Sequence, residues 1–128
     1  QPFQATTLLP ISDQFPSLTA TKWQWVQKND ANGSEMIDRV LEISLTTKGE
    51  VTVTDEFCGL IFSTFETSLP YKISFDFDTS KITCDNKELV LELLDYLQRI
   101  EAWHFDNGQW VLDIMDGTSL IFDPVKPE

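Results

Sequence analysis

The sequence predicts a mainly β domain: a small antiparallel sheet, closed or nearly closed into a barrel, with one α-helix packed across it. Three stretches carry that prediction. Tyr71, Ile73, Phe75 and Phe77 alternate with Lys72, Ser74, Asp76 and Asp78, the period of two that marks a strand with one face inward and one in water. Leu89, Val90, Leu93, Leu94, Leu97 and Ile100 recur at spacings of three and four, which draws one apolar stripe on a helix and calls for one sheet face to receive it. After the helix, three short apolar runs are separated by Asp106-Asn107-Gly108 and Asp116-Gly117-Thr118, the turn chemistry of tight hairpins.

Taken in order, residues 1–17 hold Pro2, Pro10 and Pro16 among small polar side chains with no sustained period. They are expected to form an extended N-terminal arm, with a short strand around Thr7–Ile11. The domain itself is expected over residues 18–123. Trp23 and Trp25, with Gln24 between them, fall on one face of a first strand. Asn29–Ser34 reads as a loop, because its Asn, Asp and Gly residues bond their own backbone or tolerate positive φ. A strand around Val40–Leu45 and another at Glu50–Thr54 make a hairpin about Gly49. Phe57–Phe65 is apolar and β-prone, and Gly59 within it suggests a bulge or a close backbone approach. Pro70 heads the alternating strand, where a missing amide hydrogen is harmless.

The helix is expected from Asn86 to Arg99, capped by Asp85 with Glu88 answering in a capping box, and with Arg99 complementing the dipole at its end. Glu88, Glu92 and Asp95 are expected in water. The strands Trp103–Phe105, Trp110–Met115 and Ser119–Phe122 follow, and Pro124 and Pro127 end the fold, leaving 124–128 as a tail. Seven or eight strands and one helix suit a small barrel with the helix across one opening.

A chain of 128 residues supplies one core and no room for a second domain. Nine Phe and four Trp fill that core readily. Twenty-one acidic against nine basic side chains leave a formal charge of −12 and a pI near 4.2, a surface that repels phosphate backbones, so nucleic acid is not expected as a partner. No apolar run reaches eighteen residues, so no transmembrane segment is expected. The start at Gln1-Pro2-Phe3 rather than at Met suggests processing or a boundary, and a signal peptide or a lipidated segment could have been lost upstream.

Side chains that could do chemistry are few and scattered. His104, the single histidine, lies between Trp103 and Phe105 in a strand and is expected to point away from both, toward solvent or a neighbouring strand. With one histidine, neither a Ser/His/Asp triad nor a zinc site is convincing. A Cys/His pair would need Cys58 or Cys84 reduced and beside His104. In an oxidising compartment those two cysteines could instead close a loop of about 26 residues, worth roughly 3 kcal/mol on the chain-entropy account; the other reading is two buried free thiols. Asp76 and Asp78 share the solvent face of a strand, which explains them better than an acid pair for glycoside hydrolysis. The run Asp76, Asp78, Ser80 opens like a calcium loop but has Lys87 where the closing glutamate belongs. Phosphate-loop and dinucleotide patterns are absent. The sequence therefore predicts no catalytic, cofactor-binding or metal-binding residue, no cofactor, and a domain that is not an enzyme.

The alternating strand, Thr79-Ser80-Lys81-Ile82-Thr83-Cys84, the helix ending Leu97-Gln98-Arg99-Ile100, and the meander from Phe105-Asp106-Asn107-Gly108 to Ser119-Leu120-Ile121-Phe122 together resemble the META domain family, which includes HslJ-like bacterial proteins and envelope lipoproteins. Leu18–Trp23 is similar to that family's first strand, and Cys58 and Cys84 match two of its cysteine positions, although the family's Gly and Asn around the first are missing here. The resemblance implies pairing of Cys58 with Cys84 and a location in the bacterial periplasm, at the outer membrane through a lipid anchor, or outside the cell. It implies a non-enzymatic monomer serving protein interaction, with an envelope protein as partner, or envelope stress maintenance. The alternative expectation is a small apolar ligand inside the barrel or under the helix, in a cavity lined by Trp23, Trp25, Phe62, Phe75, Trp103 or Trp110.

Overall fold

A computed structural model describes residues 18–68 and 72–125. The expected arm 1–17 with its strand at Thr7–Ile11, the residues Pro70 and Tyr71, and Pro127 lie outside the described residues. Nine strands are described: β1 (Lys22–Asp30), β2 (Gly33–Met36), β3 (Leu41–Leu45), β4 (Glu50–Asp55), β5 (Gly59–Ser68), β6 (Lys72–Phe75), β7 (Ile100–Asp106), β8 (Gln109–Ile114) and β9 (Ser119–Val125). The helix α1 (Glu88–Leu97) sits between β6 and β7 in the chain, after a 3-10 turn at Thr79–Lys81. The strands form a single antiparallel sheet in the order β6-β5-β4-β3-β1-β9-β8-β7, with β2 beside the outer half of β1. The two ends of this order meet, and Lys72 Nζ donates to the Glu101 carbonyl across the seam at 2.7 Å. The result is the nearly closed barrel that the alternation and the hairpin turns predict.

The interior follows from strand parity. Trp23 and Trp25 both face inward, as do Ile43, Val51, Val53, Phe75, Trp103, Trp110, Leu112 and Phe122, all at most 7% exposed. Aromatic rings fill the centre: Trp23 lies 5.8 Å from Trp110 and 5.7 Å from Phe105, and Trp110 lies 5.2 Å from Phe122, centroid to centroid. Such offset and tilted pairs are the favoured aromatic geometry. From α1, Val90, Leu93, Leu94 and Leu97 join the same core, with Leu89 partly buried beside them. Lys28 of β1 ties the helix down through Glu92 at 2.8 Å, and this hydrogen-bonded carboxylate holds the ammonium pKa above its ordinary value. Glu92 is therefore an anchor rather than a freely solvated charge.

Several expected boundaries move, each for a local reason. Asn86 takes a positive φ of 55°, so the chain turns before the helix and α1 begins at Glu88; Lys87 occupies the cap position without a side-chain bond, and Asp85 does not cap. The helix closes at Gln98, so Arg99 lies just past it and pairs with Asp95 at 2.8 Å and Asp116 at 3.5 Å. Gly59 is no bulge: with φ at 76° it ends the β4–β5 turn, and Phe57 and Cys58 belong to that turn. Register shifts occur instead between Trp25 and Gln27 and between Ile100 and Ala102. Pro124 does not end the fold, because β9 continues to Val125 with Pro124 opposite Trp23.

Candidate functional site

The β4–β5 hairpin concentrates what is unusual on this surface. Its tip is built around Asp55, whose side chain is fully buried. Arg39 grips the carboxylate with Nε and Nη2, both at 2.8 Å, and the backbone N–H groups of Cys58 and Phe57 donate to the same carboxylate at 2.8 and 3.1 Å. Burial by itself would raise the Asp55 pKa, but the Arg39 bond and the two backbone donors outweigh it and hold the carboxyl below its ordinary value. The Arg39 guanidinium also lies 4.6 Å from the Phe57 ring centroid, a cation–π contact. Cys58 then bonds to Cys84 across 5.2 Å between Cα atoms. Turn, strap and neighbouring segment are thus fixed together.

From this tip runs β5, and its backbone directions can be read from two bonds. Phe65 N donates to Gly49 O at 2.9 Å, whereas Thr64 O accepts from Asp76 N at 3.2 Å. Antiparallel strands alternate the edge to which successive residues turn their N–H and C=O, so Ile61 and Ser63 bond toward β4, while Leu60 and Phe62 point toward the other edge. On that edge β6 pairs with Phe65–Ser68, and the Asp76–Thr64 bond is the last contact of the ladder. Beyond Asp76 the pairing ends: Asp78 caps the 3-10 turn by accepting from Ser80 N, and the Phe77 N–H, on the side away from β5, donates to Gln98 Oε1 at 3.1 Å. A groove of about 470 Å³ opens where β6 has peeled away, with Leu60, Phe62, Asp76, Asp78, Ile82 and Thr83 around it. Among the described residues no strand lies against Leu60 and Phe62.

The side chains of that margin are apolar and uncovered. Leu60 is 59% and Phe62 70% exposed, and Phe57 at the tip is 53% exposed. Phe62, expected in the interior, faces out; its parity is opposite to that of buried Phe65, and Thr52 stands beside it on β4. The remaining interior residues of the expected ligand cavity, Trp23, Trp25, Phe75, Trp103 and Trp110, are packed against other rings and aliphatic chains in the core.

The other candidate residues are placed as follows. His104 faces outward, half exposed, with Nδ1 3.4 Å from Asp113 Oδ2. Ser119 Oγ lies 3.4 Å from the other oxygen of Asp113, so the carboxylate sits between serine and histidine and no serine-to-histidine contact forms. The disulfide withdraws both thiols from a Cys/His pair. Asp76 and Asp78 are exposed, and Ser80 is bound to Asp78 by its hydroxyl at 2.6 Å as well as by its N–H, which accounts for the calcium-like run as a cap. Among the described residues no three His, Cys, Asp or Glu side chains come together as a metal site.

Comparison with known proteins corrects the family expectation. No family model matches the chain, and no curated protein matches it. Two solved structures share its fold: a DUF4847 family protein from Bacteroides vulgatus ATCC 8482, with TM-score 0.68, 13% identity, and coverage of 88% of this chain and 98% of that one, and a protein from Burkholderia xenovorans solved by NMR, with TM-score 0.66, 16% identity, and coverage of 90% and 88%. The META resemblance is not upheld. Its motifs are short: a cysteine before a helix, and Gly-containing turns of the kind any tight hairpin favours. The disulfide fits an oxidising compartment, and no described helix is long and apolar enough to cross a membrane. What the likeness establishes is the fold alone, which this chain shares with those two solved structures.

Proposed function

We propose that this chain is a non-enzymatic, extracytoplasmic monomer that works by binding a protein partner through the outward face of the β4–β5 hairpin. The observation that carries the reading is the exposure of Leu60 and Phe62 beside a groove rimmed by Asp76 and Asp78, on a strand whose tip is fixed by the Asp55–Arg39 pair and the disulfide. Large apolar side chains gathered on one face and bordered by polar groups mark interaction surfaces, and a fixed tip lowers the ordering cost of binding. The disulfide supports a secreted or periplasmic location; the lipid anchor and outer-membrane location lose the resemblance that suggested them.

The test is capture of a partner from extracytoplasmic extract of the source organism by the full, oxidised chain, compared with Phe62→Glu. A partner retained in stoichiometric amount by the native chain and lost by the variant, with unchanged circular dichroism and melting temperature, is the expected result. Equal capture by both would refute this surface as the binding face.

A further inference from the structure

We infer that the open margin of β5 accepts an extended, basic segment of a partner protein as an added β-strand. The inference rests on the docking reading of the same groove and specifies what enters it. Three observations select the class of ligand. The first is the backbone: the N–H and C=O groups of Leu60 and Phe62 point into the groove, and β6 has stopped pairing before it reaches them. A row of such groups is met by another extended backbone, which supplies donors and acceptors at the strand repeat.

The second is the lack of protection. Sheet margins that must stay single usually carry Lys, Pro, an inward charge or a bulge. Gly59-Leu60-Ile61-Phe62-Ser63 carries no charge and no proline, and its two outward side chains are Leu60 and Phe62, at i and i+2. An incoming strand with apolar residues at alternate positions would cover both.

The third is charge. Asp76 and Asp78, both exposed, rim the groove, and the chain carries a net −12. Lysine or arginine flanking the apolar pair on the same outward face, two residues before or after it, would meet the Asp76 carboxylate. A second copy of this chain is disfavoured as the occupant, because it would bring the same charge to the same margin.

The experiment uses the full, disulfide-bonded chain labelled with 15N and three synthetic peptides as probes: Lys-Thr-Val-Thr-Val-Thr-Lys, which puts both valines and both lysines on one strand face, its Glu-for-Lys counterpart, and the lysine peptide with alternate backbone nitrogens methylated. The expected result is binding of the lysine peptide with slowing of amide exchange at Leu60 and Phe62 by about tenfold or more. Methylated and glutamate peptides should bind at least about tenfold more weakly, and Asp76→Lys should weaken the lysine peptide by a similar factor. Binding that Phe62→Glu abolishes but that methylation leaves intact, with no slowing at Leu60 and Phe62, would overturn strand addition while leaving the docking face standing. Equal binding of lysine and glutamate peptides would overturn the basic class. Concentration-dependent dimers that protect the same two amides would assign the margin to a second copy. No binding of any peptide, beside capture of a partner that Phe62→Glu loses, would again sink the strand and spare the face.

Discussion

Along the seam where β6 meets β7, Lys72 spans the gap to the Glu101 carbonyl at 2.7 Å, and Lys72, Ser74 and Glu101 all lie in water. Along the margin of β5, Gly59–Ser63 shows neither a charge nor a proline, and Leu60 and Phe62 stand mostly uncovered. Both are places where the ladder stops, yet they are finished in opposite ways. The seam is closed by a flexible cation that satisfies a backbone acceptor and stays solvated, the ordinary means of keeping an edge from sticking. The β5 margin has no such means, although the tip beside it is the most heavily braced part of the surface. Bracing a bare edge makes physical sense when something else is to complete it.

The largest effect expected from breaking this contrast lies in the brace. Arg39→Met leaves the Asp55 carboxylate buried without its cation, and unfolding in urea should show a loss of about 3–5 kcal/mol. The pH dependence has a fixed sign. Because the folded protein holds the Asp55 carboxyl below its ordinary 3.8, the pair contributes fully above that value, and the contribution drains away as the pH falls through the lower folded-state value. Asp55→Asn should therefore flatten the acid limb of the stability curve, and an unchanged limb would mean that the pair does not stabilise the fold.

Next comes the strap. Reducing the Cys58–Cys84 bond should cost roughly 2–4 kcal/mol, read as a shift in the urea midpoint, since it closes a loop with a sequence separation of 26. Smaller again is the seam: Lys72→Ala should cost about 0.5–1 kcal/mol, because the bond it removes is exposed. Smallest for stability, and sharpest for the contrast, is Phe62→Lys. It should leave unfolding within about 0.5 kcal/mol of the native protein while raising solubility, measured by light scattering, since it gives β5 the protection that Lys72 gives the seam. A marked destabilisation would show that Phe62 packs into the fold after all.

Much of this architecture is legible in the residues. Alternation in Ile73–Phe77 and Val51–Thr54 marks strand faces, and the glycines at 49, 108 and 117 sit at positive φ in the turns where hairpin chemistry places them. The leucine stripe marks α1, but its start depends on Asn86 adopting a left-handed conformation, which Asp85 and Glu88 disguise as a capping box. The β5 margin carries no such local mark. Leu60, Ile61 and Phe62 are apolar in succession, so no alternation separates inside from outside; only counting back by twos from buried Phe65 puts Phe62 on the surface. Pairing of β6 with β5 stops after Asp76, where Asp78 caps a 3-10 turn through Ser80 N, and in the sequence that cap shows only as a calcium-like run. The family resemblance rests on short turn motifs and two cysteine positions, and no family model matches the chain.

Amide hydrogen exchange on the free, oxidised chain tests the central claim most directly, because Leu60 and Phe62 are held to point away from β4 while Ile61 and Ser63 bond to it. Fast exchange at the first pair and slow exchange at the second is the result predicted for an open margin on a rigid strand. Equal protection at all four amides would contradict it, for the edge would then already be covered.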